Sequence, residues 1–190
     1  DGVAVASHGH VKSVFLAHQQ PLEEIEVIHC DTASLTSVNL LRVLLAERGL
    51  RPAFMPLPDY AQATALENVL LIGNPGIDFL HAPHLHTIWD LGAAWQELTD
   101  LPFVYAAWAL RRGHHDATLR EYLRTTKTSG LEQLSKIIAT HPDYDTAFRQ
   151  AYLGGHIRYN LGKTEKAGLA KFVELLKTHG DQDVYKPTFV

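Results

Sequence analysis

A single cysteine, Cys30, stands in 190 residues, so the chain has no partner for an internal disulfide. The fold therefore cannot rest on a covalent framework, and a reducing, cytoplasmic compartment is the expectation. No apolar run approaches the roughly 18–20 residues that a membrane helix needs. The opening residues, DGVAVASHGH, contain neither a basic segment nor an apolar one of the signal-peptide kind. Positive charge is also scarce: 17 Lys and Arg stand against 21 Asp and Glu, a net charge of −4. Such a balance gives no electrostatic footprint for nucleic acid. There is no HExxH, no paired cysteine, no Walker loop and no dinucleotide fingerprint, and no Ser-His-Asp order can be read. What is present is ordinary for a globular protein, 46% hydrophobic and 20% charged residues. The length suffices for one substantial core or two small lobes.

The most informative stretch runs from Ile88 to Gly113 and holds all three tryptophans. Asp90 is placed to cap a helix whose Leu91, Trp95 and Leu98 recur at spacings of four and three. Thr99-Asp100 breaks the pattern, and Pro102 fits the start of a strand, where a missing N–H does least harm. Phe103 to Leu110 is almost wholly apolar, which predicts a strand covered on both faces. Arg111-Arg112-Gly113 marks its exit to water. A helix delivered directly into a buried strand suggests a crossover between two packed units.

Elsewhere the chain alternates. Val3–Ala6 and Val11–Ala17 read as two strands, or as one strand bent at His8-Gly9. Ile25–His29 reads as another. Ser34 is a good N-cap for a helix from Leu35 to about Arg48, with Gly49 placed to end it. Phe54-Met55 is a short strand, and Val69–Ile72 a buried one closed by the turn Gly73-Asn74-Pro75-Gly76. Residues 77–87 read as loop. After residue 113 the pattern turns helical: Asp116 to His141 with a break at Gly130, Tyr144 to Leu153, and Lys163 to Thr178. Ile157, Tyr159 and Leu161 alternate as a short extended link. This order predicts an α/β protein. It suggests two lobes: residues 30–101 inserted as one, with 1–29 and 102–190 making the other.

The strongest chemical candidate is the helix start Thr32-Ala33-Ser34-Leu35-Thr36-Ser37. Free N–H groups and a partial positive charge meet four hydroxyls there, enough to hold a carboxylate or phosphate without any lysine. Plain capping explains one of those hydroxyls. Asn74, after a buried strand, is placed where open α/β sheets take ligands, although a plain turn is the better reading of these residues viewed alone. Ser13 lies in a β-rich run and would face a cleft or serve as an ordinary strand serine. Tyr105, Trp108 and Tyr159 read as core or cleft-wall aromatics. Twelve histidines include His8 with His10, His81 with His84 and His86, and His114 with His115. Pro83 prevents the middle group from sharing a helix face, so these read as solvated loop residues, with no metal site.

The block Asp90-Leu91-Gly92, Trp95, Thr99 to Val104 and Trp108-Ala109 resembles the signature of the MqnA family, the chorismate dehydratases of the futalosine route to menaquinone. The segments DGVAVASHGHVKSVFLA, DTASLTSVNLLRVLL, LLIGNPG and YNLGKTEKAGLAKF resemble the family's in the same order, and the likeness reaches about Phe172. It implies a periplasmic-binding-protein type II fold, two α/β lobes with the ligand between them. It implies dehydration of chorismate, a small-molecule substrate, to 3-[(1-carboxyvinyl)oxy]benzoate, with neither metal nor organic cofactor. Ser13 matches the family's cleft serine. Ser34, Thr36 and Ser37 match its Ser-x-Thr-Ser helix start, which would hold a substrate carboxylate. Asn74 stands where the family usually has Asp. The family's Tyr-Leu-Asn motif, with its catalytic asparagine, has no counterpart here. No catalytic residue is therefore assigned, and these 190 residues alone are expected to be inactive. The same fold also serves solute-binding proteins, and an inactive fragment is a further alternative.

Overall fold

The computed structural model describes residues 2–111, 113, 116–180, 184–185 and 187–189. His114, His115 and Arg112 lie outside the described residues. Five strands form one sheet in the order β4-β3-β5-β2-β6, and two form another, β1-β7. They run β1 Ala4–Ser7, β2 Val14–His18, β3 Val27–Cys30, β4 Ala53–Pro56, β5 Asn68–Ile72, β6 Thr87–Asp90 and β7 Phe103–Ala107. Strands β3, β4 and β5 are parallel, while β2 is antiparallel to both β5 and β6. The expected α/β character is therefore present.

The two N-terminal strands belong to different sheets. Between them the backbone turns at Gly9 (φ 89°) and Lys12 (φ 68°), and β2 begins only at Val14. Phe15, Leu16 and Ala17 are fully buried, and pairing on both edges supplies the hydrogen bonds that so apolar a strand needs. Strands β2 and β3 thus join β5 and β6, although both begin before residue 30, the expected boundary of the inserted lobe.

Helix α1 (Leu35–Glu47) follows β3 and is capped by Ser34, whose Oγ accepts from the Ser37 amide at 3.2 Å. It ends as expected at Gly49 (φ 77°). The Leu50 N–H reaches the Leu45 carbonyl and the Gly49 N–H the Ala46 carbonyl, the paired closure that a left-handed residue permits. Leu40, Leu41, Val43, Leu44 and Leu45 enter the core. The expected turn at 73–76 instead opens helix α2 (Asn74–His81), because Pro75 in the first turn lacks only an N–H the helix does not use. Residues 77–81 are therefore helical rather than loop. The neighbouring histidines are packed, not simply solvated: His84 stacks on Phe79 at 4.7 Å and His86 is buried.

Helix α3 (Leu91–Thr99) starts at Asp90 as expected. Its buried face is Leu91, Ala94 and Trp95; Leu98, expected in the same stripe, is 41% exposed. Trp95 is fully buried, edge-on to Phe103 and Phe172, with its indole N–H donated to the Pro102 carbonyl. The chain then crosses to β7, which pairs with β1. Here the sequence expectation fails in part. Phe103 and Val104 are buried, but Ala106, Ala107 and Trp108 are exposed, because β7 is an edge strand whose far half faces an open cavity.

The helical tail comprises α4 (Ala117–Glu132), α5 (Leu134–Thr140), α6 (Thr146–Ala151) and α7 (Lys163–His179). Asp116 and Asp145 cap α4 and α6. The interruption falls at Gln133, not at Gly130. Past α6 the chain widens into a looser helical turn, Tyr152–His156. Residues 157–161 are the extended link; Arg158 exchanges backbone hydrogen bonds with Ala6. Helix α7 closes the core with Phe172 and Leu175 against Trp95 and Phe103. Among the described residues no helix is long and apolar enough to cross a membrane.

Candidate functional site

Strands β3, β4, β5 and β6 all point the same way, so their carboxyl ends share one edge of the sheet. That edge collects the helix start after β3, Gly73-Asn74 after β5, Asp90 at the end of β6, and Ser13 just before the antiparallel β2. Residues scattered over nearly eighty positions converge there, the place where open α/β sheets bind ligands.

Ser13 is 3% exposed. Its carbonyl accepts the Gly73 N–H at 2.7 Å, which ties it to the start of α2. Its Oγ accepts a 2.8 Å hydrogen bond from the Tyr152 hydroxyl. Ser37 is 1% exposed, and its Oγ lies 3.2 Å from that of Ser34. Thr36 is half-buried and Asn74 exposed. The five expected residues thus lie along a common edge, but they present different surfaces. Ser34 acts as the cap, Ser13 and Ser37 are inside, and Asn74 reaches water. None of the five lines the apolar cavity found elsewhere in the molecule.

Sequence reasoning passed over several neighbours. Asp31, 2% exposed, directly follows β3. Its Oδ1 accepts from the Ala33 amide at 2.8 Å and from the Tyr60 hydroxyl at 2.9 Å, and its Oδ2 has no partner among the described residues. That bond to Asp31 holds the Tyr60 phenol above its ordinary range. An aspartate directly after an apolar strand and before a hydroxyl-rich helix start was the available signal. Its negative charge stands beside the amides and hydroxyls at the start of α1.

Asp90 does more than cap α3. One carboxylate accepts from Ala93 (2.9 Å), Lys12 (2.8 Å) and Val11 (3.2 Å). It thereby ties the crossing between β1 and β2 to the start of α3. Nearby, the single Ser7 hydroxyl hydrogen goes to the Gly9 carbonyl at 3.1 Å, so the Tyr105 hydroxyl, also at 3.1 Å, donates to Ser7. Burial holds the Tyr105 phenol protonated, far above its ordinary range. Tyr152 had no distinguishing signal in sequence. Among the described residues no three His, Cys, Asp or Glu side chains group as metal ligands.

The family described as menaquinone biosynthesis matches residues 1–178. Chorismate dehydratase of Thermus thermophilus is 34% identical, the match covering 70% of this chain. The chain spans 56% of that relative's length. A crystal structure of an Archaeoglobus fulgidus protein superposes with a TM-score of 0.65 at 18% identity, covering 94% of this chain and 72% of that one. A structure described as an ABC transporter from Parabacteroides distasonis gives 0.58 at 16% identity, covering 94% and 68%. At such identities the two structures share the fold alone.

Proposed function

From the premise that this chain belongs to the menaquinone biosynthesis family, we propose that it carries the substrate-holding half of a chorismate dehydratase. The supporting observation is the convergence of Ser13, Ser34, Thr36, Ser37 and Asn74 on one sheet edge, in a chain 34% identical to a chorismate dehydratase.

The chemistry suits such a site. Chorismate loses water when a ring proton is removed and the hydroxyl departs, and aromatisation drives the reaction. The protein's main task is to hold two carboxylates, orient the C–H bond and exclude bulk water. Amides at the start of α1 grip an anion with fixed dipoles and add no strong acid beside the leaving group. A positioned acid or base would add further acceleration. The fold reading is the periplasmic-binding-protein type II arrangement. One lobe is the five-stranded sheet, about residues 8–101; β1, β7 and the helical tail belong to the other; the ligand lies where the two crossings meet.

Turnover tests the reading. Chorismate is incubated with the protein, alone and joined by the remaining portion of a family member, while its ring absorbance is followed and the product identified by mass. Release of 3-[(1-carboxyvinyl)oxy]benzoate by the joined protein is expected. Saturable binding of chorismate without turnover in that protein would favour a solute-binding role instead.

A further inference from the structure

The five-stranded sheet has a second polar edge, at the pole opposite Ser13, Ser34 and Asn74. Val27 and Asn68 are the first residues of β3 and β5, and Gln20 lies just past the end of β2. With Glu24, Glu26 and residues 65–67 they line a groove of about 540 Å³. Two chain segments form its walls and are tied to each other. The Gln19 amide donates to the Glu67 carbonyl at 3.0 Å, and the Gln20 side chain donates to the Glu67 carboxylate at 2.8 Å.

Charge on this lining is of one sign. Glu24, Glu26 and Glu67 are exposed, and no Lys or Arg lines the groove. Among the described residues none of the three carboxylates is paired with a cation. Like charges gathered on a concave surface concentrate ions of the opposite sign. Asn68 makes the groove more than a solvated acidic face. It lines the same groove and is 6% exposed. Its Nδ2 is committed to the Val27 carbonyl at 3.3 Å, and its Oδ1 is buried with no hydrogen-bond partner among the described residues. The Val27 carbonyl sets which way the amide lies, so the unmet atom is an acceptor. A buried acceptor of this kind calls for a donor from outside the chain.

Shape narrows the choice of donor. Among the described residues no three His, Cys, Asp or Glu side chains group as metal ligands, so these carboxylates are too dispersed to close on one ion. Val27, Ala65 and Leu66 place apolar surface alongside the glutamates. Dispersed negative charge next to apolar surface suits an alkyl chain with a cation at each end, which lays its methylenes on the apolar part and its charges on the polar part. A carboxylate on the ligand would meet three others, which selects against amino acids.

We propose that this groove is a binding site for a linear alkyl diamine or longer polyamine. One ammonium donates to Asn68 Oδ1, the three glutamates supply the counter-charge, and the methylenes lie on Val27, Ala65 and Leu66. The site is separate from the sheet edge assigned to substrate and does not depend on that assignment.

The test titrates putrescine into the 190-residue protein by isothermal calorimetry. Saturable one-to-one binding is expected, at least tenfold tighter than that of butylamine, which lacks the second charge, and of lysine, which carries a carboxylate. The double variant Glu26→Gln, Glu67→Gln alters two exposed side chains and should weaken binding at least tenfold while leaving circular dichroism and Tm unchanged. Asn68→Ala removes the unmet acceptor and should weaken binding several-fold; if that variant does not fold, the glutamate double variant decides. Absence of saturable putrescine binding would overturn the proposal. So would equal affinity for putrescine and butylamine, or wild-type affinity in the glutamate double variant or in folded Asn68→Ala. Displacement of putrescine by an equal concentration of magnesium chloride would overturn it too, since the groove would then respond to positive charge alone. Chorismate plays no part in these readouts, so the amine site stands or falls apart from the dehydratase assignment.

Discussion

The Tyr152 hydroxyl donates to Ser13 Oγ across 2.8 Å, joining the helical tail to the first residue of the five-stranded sheet's edge over 139 positions of sequence. Ser13 is buried and Tyr152 half-buried. Tyr144 makes a parallel bond, its hydroxyl to Asp78 on α2 at 3.0 Å, and His81 stacks on its ring. The tail is thus pinned to the sheet edge at two places.

Tyr152→Phe removes the donor and keeps the ring stacked on Phe148. The expected cost is about 1 kcal/mol, the net worth of one such bond. Ser13→Ala is expected to cost more, about 2 kcal/mol, because it strands the tyrosine hydroxyl. A double-mutant cycle by urea unfolding measures the coupling, which should be clearly non-zero. If Ser13 also meets substrate, Ser13→Ala weakens chorismate binding beyond the change seen in Tyr152→Phe. Equal effects of the two variants on binding would assign Ser13 a structural role only.

The helix start separates stability from binding in a different way. Ser34→Ala deletes the cap of α1 and is expected to cost about 1 kcal/mol. Thr36 is half-buried with its neighbour Leu35 65% exposed, and Thr36→Ala should move stability by less than about 0.5 kcal/mol. It should nonetheless weaken carboxylate binding several-fold. Isothermal titration with chorismate, set beside thermal unfolding, checks both. Wild-type affinity in the Thr36→Ala, Ser37→Ala double variant would remove the helix start from the site.

Much of this molecule was legible because its signals are local. Ser34 and Gly49 bracket α1, Asp90 opens α3, and Asp116 opens α4; each acts within a few residues of itself. The same holds for the hydroxyl cluster. The misreadings are of two kinds. Proline at 75 was read as part of a turn when it equally suits the first turn of a helix. Phe103 to Leu110 was read as doubly covered because an apolar run reports a preference for burial, and the structure leaves its second half bare. Tyr152 and Asp31 could not be paired with Ser13 and Tyr60 from sequence, since those bonds depend on how β2, β3 and the tail are brought together. Asn74 was placed correctly beyond a strand end, but exposure on the first turn of α2 is a matter of packing that no dipeptide records.

Gly92 shows why the Asp-Leu-Gly block tolerates no larger residue. A methyl group there would sit 2.5 Å from the Gly9 carbonyl oxygen and 2.8 Å from both Ser7 Oγ and the Tyr105 hydroxyl. Backbone and two mutually bonded hydroxyls leave no flexible side-chain end to swing away. Gly92→Ala is expected to cost about 3 kcal/mol, the upper part of the overpacking range. For a chain of this size that corresponds to a fall in Tm of roughly 6–12 °C. Tyr105→Phe in the same background opens one of the three contacts and should recover part of the loss. A Gly92→Ala protein as stable as wild type would mean that the two crossings are looser than they stand here.

Cys30 makes a pH-dependent prediction. It lies at the end of β3, 3% exposed, and burial pushes its thiol from the ordinary 9.0 up to about 12; the neighbouring Asp31 charge adds to the rise, and Arg42 opposes it. A raised folded-state pKa means that the folded protein keeps the proton while the unfolded chain gives it up. The contribution is therefore complete below pH 9 and is lost progressively as pH climbs from about 9 towards 12. Three units correspond to about 4 kcal/mol in full, and roughly 2–3 kcal/mol of it should be gone by pH 11. Cys30→Ala removes the titrating group and leaves a small cavity whose cost does not depend on pH. Urea unfolding of both proteins between pH 8 and 11 isolates the thiol: wild type should be the more stable at pH 8 and should lose that advantage as pH rises. A constant difference across the range would mean that the thiol ionises as readily in the folded protein as in the unfolded one.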